Sequence, residues 1–290
     1  MSKIFLLRYI FLFIFTDTHI ILNNELKDIS EFSDYFGNPE KYIYEVFRVQ
    51  EAMPVFIEDH LDRLWHTALI SGVVLPFSRK DILKEIYLLI RANPSGDGNI
   101  KIFITLPNHG EMLRLLYYTP HQYPTKEQFS KGVAARLFNA EREKPNAKIM
   151  DVALRSATDQ IKTERNVYEV LLVNGQGFIT EGSRSNVFFI QNQKLVTPPV
   201  HTVLEGVTRK NIIQLCKENN IDLIEEPVHI NELNKMDAAF ISGTSRRVLP
   251  VCCIDNLNFN TQHPLIPMLQ QLFEDRVMQY ISRKKGESEY

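Results

Sequence analysis

A lysine, a glutamate and two glycine-hydroxyl turns stand in order in the second half of this 290-residue chain. The lysine is Lys148, in KPNAKIMD, and the glutamate is Glu181, in ITEGSRSNVFF. The turns are Gly206-Val207-Thr208, at the predicted start of a helix, and Gly243-Thr244, at the end of a predicted strand. Each has an ordinary reading by itself: a solvated surface lysine, a turn after a strand, a helix cap. Their chemistry nevertheless converges. Two backbone-rich turns with hydroxyls, one of them opening a helix, form an anion site, because helix N–H groups and the helix dipole favour a phosphate there. Arg63, on the first predicted helix, supplies a basic residue for it. A carboxylate such as Glu181 can keep a pyridine nitrogen protonated. A lysine that is partly desolvated can condense with an aldehyde. Phosphate cup, pyridinium partner and amine are the parts needed to hold pyridoxal 5′-phosphate.

The elements that must position these residues follow from pattern. Residues 42–49 (YIYEVFRV) are rich in aromatic and β-branched types and read as a strand. A helix is predicted over 58–71, where Leu61, Leu64, Ala68 and Leu69 recur at helical spacing behind a cap at Asp59. Ser78 caps a second helix with Ile82, Ile86, Leu89 and Ile90 on one face. A turn at 93–99 leads to strands at 100–106 and 114–118. The two prolines of 119–126 mark a linker. Beyond it the pattern runs strand (133–138), helix (151–164) and strand (168–173), then a hairpin whose turn pair, Asn174 and Gly175, tolerates positive φ. Short runs at 178–180 and 187–190, a helix over 208–218, strands at 221–224 and 238–242, and a last helix over 266–281 complete the chain. This organisation predicts a smaller N-terminal α+β domain over 19–120, a linker at 121–126, a larger cofactor-binding domain over 127–290, and an apolar extension at 1–18.

Composition excludes several classes. A formal net charge of −2 offers no electrostatic case for nucleic acid or an anionic membrane. Cys216, Cys252 and Cys253 show neither CxxC nor Cys/His metal spacing, so they read as buried free thiols of a reducing compartment, and no metal site is expected. Residues 4–15 (IFLLRYIFLFIF) are very apolar, but Arg8 interrupts them and no small-x-small cleavage site follows. The run is also shorter than the roughly 20 apolar residues that span a bilayer. A cytoplasmic protein with a strand-like or dispensable extension is expected, not a secreted or anchored one.

The chain resembles the class IV aminotransferases, a family that includes branched-chain and D-amino acid aminotransferases and aminodeoxychorismate lyase. The resemblance is carried by YEVFRV, FIEDHLDRL, KPNAK, YEVLLVNGQGFITEGSRSNVFFI, VLEGVTRKNII and MDAAFISGTSRRVLPV, in family order from about residue 22 to 251. It implies a two-domain α+β fold with pyridoxal 5′-phosphate between the domains. Lys148, with Lys144 as the nearby competitor, would link covalently to the cofactor and move the proton between the substrate Cα and cofactor C4′. Glu181 would pair with the pyridine nitrogen. Arg63, Thr208, Gly243, Thr244 and the Val207 backbone N–H would hold the phosphate, and Leu204 would pack on the ring. Tyr44 and Arg48 would face the substrate, often from the partner subunit of a homodimer.

Departures from the family pattern point to a remodelled substrate site. Leu106 stands near the place where some branches carry an arginine. Residues 38–41 (NPEK) replace a glycine-rich entry. Arg184 interrupts the EG-x-x-SN loop, and Ser245, Arg246 and Arg247 follow the Gly243-Thr244 turn. These arginines are either surface residues or a grip on a substrate carboxylate. The expected reaction is transfer of an amino group between an amino acid and a 2-oxo acid. Lyase-type β-elimination giving 4-aminobenzoate and pyruvate, and a catalytically inactive cofactor-binding protein, are the alternatives. Retention of both Lys148 and Glu181 argues against the last.

Overall fold

The computed structural model describes residues 17–31, 42–93, 97–105 and 112–288. The apolar run at 4–15, the stretch 38–41 and Leu106 lie outside them. The chain divides into two compact units between Gln122 and Tyr123.

The first unit holds β1 (His19–Leu22), β2 (Glu25–Asp28), β3 (Tyr42–Gln50), β4 (Met53–Pro54), α1 (Ile57–Ile70), α2 (Arg79–Ala92), β5 (Gly98–Thr105) and β6 (Arg114–Thr119). Its six-stranded antiparallel sheet has the order β2-β1-β6-β5-β3-β4. Successive side chains of a strand point to opposite faces. Ile43, Phe47 and Val49 of β3 therefore pack with Ile57, Leu61, Leu64 and Ala68 of α1 and Ile82, Ile86 and Leu89 of α2. Tyr42 and Tyr44 join Phe103, Leu115 and Tyr117 in a separate cluster.

Local chemistry sets one helix start in this unit, and distant chemistry sets another. Ser78 and Asp81 close a reciprocal capping box on α2. At α1 the expected cap, Asp59, lies instead within the first turn. The helix begins at Ile57 after Phe56, which has a φ of 53° and makes no side-chain cap bond. The Ile57 N–H donates to Tyr280 Oη at 3.1 Å.

Two stretches that the sequence assigns to the later domain count with the first unit: Lys148–Met150 and, among the described residues, 280–288. The former runs beside β3, with Tyr44 N–H donating to Lys148 C=O (3.2 Å) and Met150 N–H to Tyr42 C=O (3.0 Å). In the latter, Tyr280 also donates to Glu58 Oε2 at 2.6 Å.

The second unit holds α3 (Lys126–Lys131), β7 (Val133–Asn139), α4 (Val152–Arg165), β8 (Glu169–Val173), β9 (Phe178–Gly182), β10 (Asn186–Gln191), β11 (Lys194–Thr197), α5 (Val207–Glu218), β12 (Leu223–Glu225), β13 (Val228–His229), β14 (Ala238–Gly243), β15 (Arg247–Ile254), β16 (Leu257–Asn258) and α6 (Leu265–Ser288), whose last turns count with the first unit. The mixed sheet has the order β12-β11-β10-β14-β15-β7-β8-β9-β13, and β16 pairs with β15. Val187 and Phe189 of β10 enter the core with Ala239, Ile241, Leu249 and Val251. Phe188 points the other way and stacks on Phe240, with ring centroids 4.8 Å apart.

Asp151 caps α4 by accepting from Leu154 N–H at 2.8 Å. The short helix α3 begins at Lys126, the last residue of the sequence read as linker, and Thr125 and Gln128 cap it reciprocally. In the β8–β9 turn the positive φ falls on Gly177 (83°), not on the expected Asn174-Gly175 pair. Asn174 Oδ1 accepts from the N–H groups of Gln176 and Phe178, and a side chain at 177 would collide with His229.

Cys216 is buried, whereas Cys252 and Cys253 are half-buried, and all three are free. No helix among the described residues is long and apolar enough to cross a membrane.

Candidate active site

The first unit presents Lys148 against an aromatic ring. Its backbone is held twice: the C=O accepts from Tyr44 and the N–H donates to Thr67 Oγ1 at 3.1 Å. Thr67 is fully buried on α1. Lys148 Nζ lies 4.7 Å from the centroid of the Tyr44 ring. Lys144, the competing amine, belongs to the second unit and is exposed.

Arg63 meets a buried acid. Its Nε donates to Glu45 Oε2 at 2.9 Å and its Nη2 to Oε1 at 2.6 Å, and His60 Nδ1 lies 3.1 Å from the same Oε1. Burial alone would raise the Glu45 carboxyl, but the Arg63 charge and the His60 contact hold it well below the usual carboxylate range. Burial pushes His60 down, against the pull of Glu45, so the ring favours its neutral form. The result is a guanidinium fixed in plane on the helix face nearest β3.

The same sheet carries Lys101. Its Nζ lies 5.3 Å from the ring centroids of Tyr42 and Tyr44, 5.9 Å from Phe103 and 6.0 Å from Tyr117. A cation among four rings is favoured by their quadrupoles. Arg48, on the same strand as Tyr44, is half-buried.

The second unit gathers Glu181, Leu204 and both glycine turns around Asn186. Glu181, at the end of β9, is 4% exposed. Its Oε1 lies 2.8 Å from Arg142 Nε, and its Oε2 accepts from Leu204 N–H at 3.2 Å. Arg142, Glu181, His201 and Thr202 line a small cavity. Asn186 Nδ2 donates to Leu204 C=O at 2.8 Å. A Cβ at Gly206 would collide with Asn186 Oδ1, so any side chain there would displace Asn186.

Gly206 opens α5 without a side-chain cap bond, and Val207 and Thr208 form the buried first turn. Such a helix start leaves backbone donors for an anion. Asn186 also pairs with Ser242 in the β10–β14 ladder, which brings the Gly243-Thr244 turn to the same neighbourhood.

Each arginine proposed for substrate in this unit has an acidic neighbour. Arg184 Nη2 lies 2.7 and 2.5 Å from the two Asp159 oxygens. Arg246 lies 3.4 Å from Glu169 and sits over the Tyr168 ring. Arg247 pairs with Glu274. Ser245 is half-buried in the turn before them. No group of three or more candidate metal ligands occurs among the described residues.

The family model for amino-transferase class IV matches residues 42–254, most of the chain, from β3 to the end of β15. The chain belongs to the class IV aminotransferases. It is an enzyme that transfers amino groups. A class IV relative, the D-alanine aminotransferase of Bacillus licheniformis, is 30% identical over 82% of this chain and 86% of its own. Two solved class IV structures share the fold. The branched-chain amino acid aminotransferase of Escherichia coli has a TM-score of 0.82 at 22% identity, covering 90% of this chain and 95% of that one. The branched-chain amino acid aminotransferase of Thermobaculum terrenum, solved in its pyridoxal-phosphate form, has a TM-score of 0.80 at 22% identity, covering 91% and 95%.

Sequence reasoning passed over Arg142, Glu45, His60, Asn186, Glu169 and Lys101. Two of them carried a signal. Glu45 and Glu169 each stand in a Tyr-Glu-Val triplet, the single acid of a mainly apolar strand. Such a residue must find a buried partner.

Proposed function

We propose that this aminotransferase works with pyridoxal 5′-phosphate: in the second unit Glu181, Leu204 and the Val207-Thr208 and Gly243-Thr244 turns are its ring and phosphate partners, and in the first unit Lys148 is its amine and Arg63 a basic group for it. The observation that carries the reading is Glu181: a buried carboxylate, oriented by Arg142 and the Leu204 N–H, beside an uncapped helix start. The donor set suits a ring nitrogen at one end and a phosphate at the other. Bound there, the cofactor supplies an aldehyde for the amine and a ring that stores the electron pair released at the substrate Cα.

The chain's own groups do the rest. Lys148 Nζ takes and returns the proton at Cα, and its fixed backbone limits where that amine can reach. Glu181 holds the ring nitrogen's proton. Thr208, Thr244 and the Val207 N–H bind phosphate oxygens, while Glu45 keeps the Arg63 fork in one orientation. Tyr44 shields the lysine from water on one side.

The relatives are named for D-alanine and for branched-chain amino acids, so the shared substrate class is a 2-amino acid with a 2-oxo acid as acceptor. The substrate carboxylate requires a cation. Lys101, Arg48, Arg184, Arg246 and Arg247, with the Ser245 hydroxyl, are the groups we assign to that task, and Lys101 in its ring of aromatics leads them. The working form is a homodimer, with Arg48 completing the partner's site while Tyr44 stays beside the lysine of its own chain.

One experiment tests the reaction. Cofactor-loaded protein given an amino acid alone should release one equivalent of 2-oxo acid and leave the cofactor aminated. Continuous release of product without a second substrate would point to elimination instead. Light scattering, followed by mixing K148A chains with chains altered at Arg48, tests the dimer. Mixed dimers should regain one intact site.

A further inference from the structure

Glu169 is a heavily engaged acid of the second unit, and the reaction proposed above does not use it. It stands at the start of β8 with no exposed surface. Its Oε1 accepts from Ser183 Oγ at 2.6 Å and from Val170 N–H at 2.9 Å, and its Oε2 accepts from Ser185 Oγ at 2.9 Å. Lys162 Nζ and Arg246 Nη2 each lie 3.4 Å away. Burial would raise this carboxyl, but Arg246, Lys162 and Ser183 hold it down at about 2.

What these partners belong to gives the cluster its meaning. Ser183 and Ser185 lie in the loop between Glu181 and Asn186. The loop is closed by the Gly182 N–H donating to Ser185 C=O at 2.7 Å, and a Cβ at Gly182 would strike Ser185 Oγ. Arg246 lies in the turn after β14, where its N–H donates to Gly243 C=O at 3.0 Å and its Nη1 to Arg184 C=O at 3.2 Å. One carboxylate therefore joins the strand end carrying Glu181 to the turn carrying Gly243 and Thr244. Without that tie the loop could rearrange, at a cost to the geometry of both groups.

We propose that Glu169 is the positioning residue of the cofactor site, a buried carboxylate that locks the Glu181–Asn186 loop to the Gly243–Arg246 turn. The proposal rests on the cofactor reading above. Its consequence is that Glu169, which acts through Ser183, Ser185 and Arg246, governs how the ring nitrogen and the phosphate are held.

The test compares wild-type, E169Q, E181Q and L233A proteins loaded with pyridoxal 5′-phosphate. Leu233 is a buried core residue of the second unit and none of the Glu169 partners named above, so L233A reports what loss of stability does by itself. The measurements are cofactor affinity by equilibrium dialysis, visible-region circular dichroism of the bound cofactor, and Tm. E169Q should weaken affinity by about tenfold or more, as loss of an outer partner does for ligating groups. It should also change the visible dichroism in the same direction as E181Q, while L233A lowers Tm and keeps the wild-type spectrum. An E169Q protein with wild-type dichroism and affinity overturns the proposal, whatever its Tm. Should E169Q fail to fold, the S183A/S185A double variant removes the two hydroxyl donors and leaves the charge pairs. It should show the same spectral change at smaller amplitude, and a wild-type spectrum there overturns the proposal too. A wild-type protein that binds no cofactor sinks this inference and the cofactor reading together. A wild-type band that responds to E181Q but not to E169Q sinks the inference alone.

Discussion

Arg142 Nε stands 2.8 Å from Glu181 Oε1, and the same guanidinium donates through Nη2 to the Ser183 carbonyl at 3.0 Å. One side chain thus steadies both the acid and the loop that follows it. Arg142→Gln should lower kcat/KM by about 10–100-fold and loosen the cofactor, the range typical of a lost supporting contact. Arg142→Lys should recover only part, because an ammonium cannot span both partners with a rigid fork. Steady-state kinetics with dialysis of the cofactor would check this, and wild-type values in Arg142→Gln would remove Arg142 from the site.

Lys148 and Lys144 are neighbours in one segment but differ in surroundings: one lies against Tyr44, the other is exposed. Lys148→Ala should abolish borohydride trapping of the cofactor and reduce turnover by roughly 10²–10⁴-fold from the lost proton transfer alone. Lys144→Ala should trap normally. Peptide mapping of the reduced protein identifies the labelled lysine, and a label on Lys144 would overturn the assignment.

Gly206 is a point of close approach between Asn186 and the start of α5. Gly206→Ala forces Asn186 away and with it the bond to the Leu204 carbonyl. Overpacking of this kind costs about 1–3 kcal/mol. Part of that should appear as phosphate-end binding loss, on the order of tenfold in cofactor affinity. Affinity and Tm measured together decide the matter: a lower Tm with unchanged affinity would make the glycine purely architectural.

Acid stability should carry the signature of Glu169. Its folded-state value of about 2 lies below its ordinary 4.5. Below pH 4.5 the unfolded chain therefore takes up a proton before the folded protein does, so stability falls as pH drops from 4.5 toward 2. A shift of this size corresponds to about 3 kcal/mol, fully present above pH 4.5. The stability deficit of E169Q relative to wild type should be largest near neutrality and should shrink across this window. Urea unfolding at a series of pH values measures it. A gap that stays constant with pH would mean that the carboxylate's charge contributes nothing.

Features that depend on neighbours a few positions apart are legible in the sequence. Ser78 with Asp81 and Asp151 with Leu154 N–H are caps closed within one turn, and both helices start where those residues stand. The alternation of Tyr42, Ile43, Tyr44 and Phe47 set which residues share each face of β3. The family motifs carried the class of chemistry, because their order survives without knowledge of register. Features that need a partner far along the chain arise only when the chain folds. Helix α1 begins at Ile57, ahead of the expected Asp59 cap, where an oxygen from Tyr280, 223 residues later, accepts its first N–H. The β8–β9 turn places its positive φ at Gly177, where the ring of His229 leaves no room for a side chain. The pairing of Glu45 with Arg63, Glu181 with Arg142, and Glu169 with Ser183, Ser185 and Arg246 follows strand register and helix docking. A buried charge is stable only where such partners converge, and sequence spacing carries no information about which distant residues will meet it.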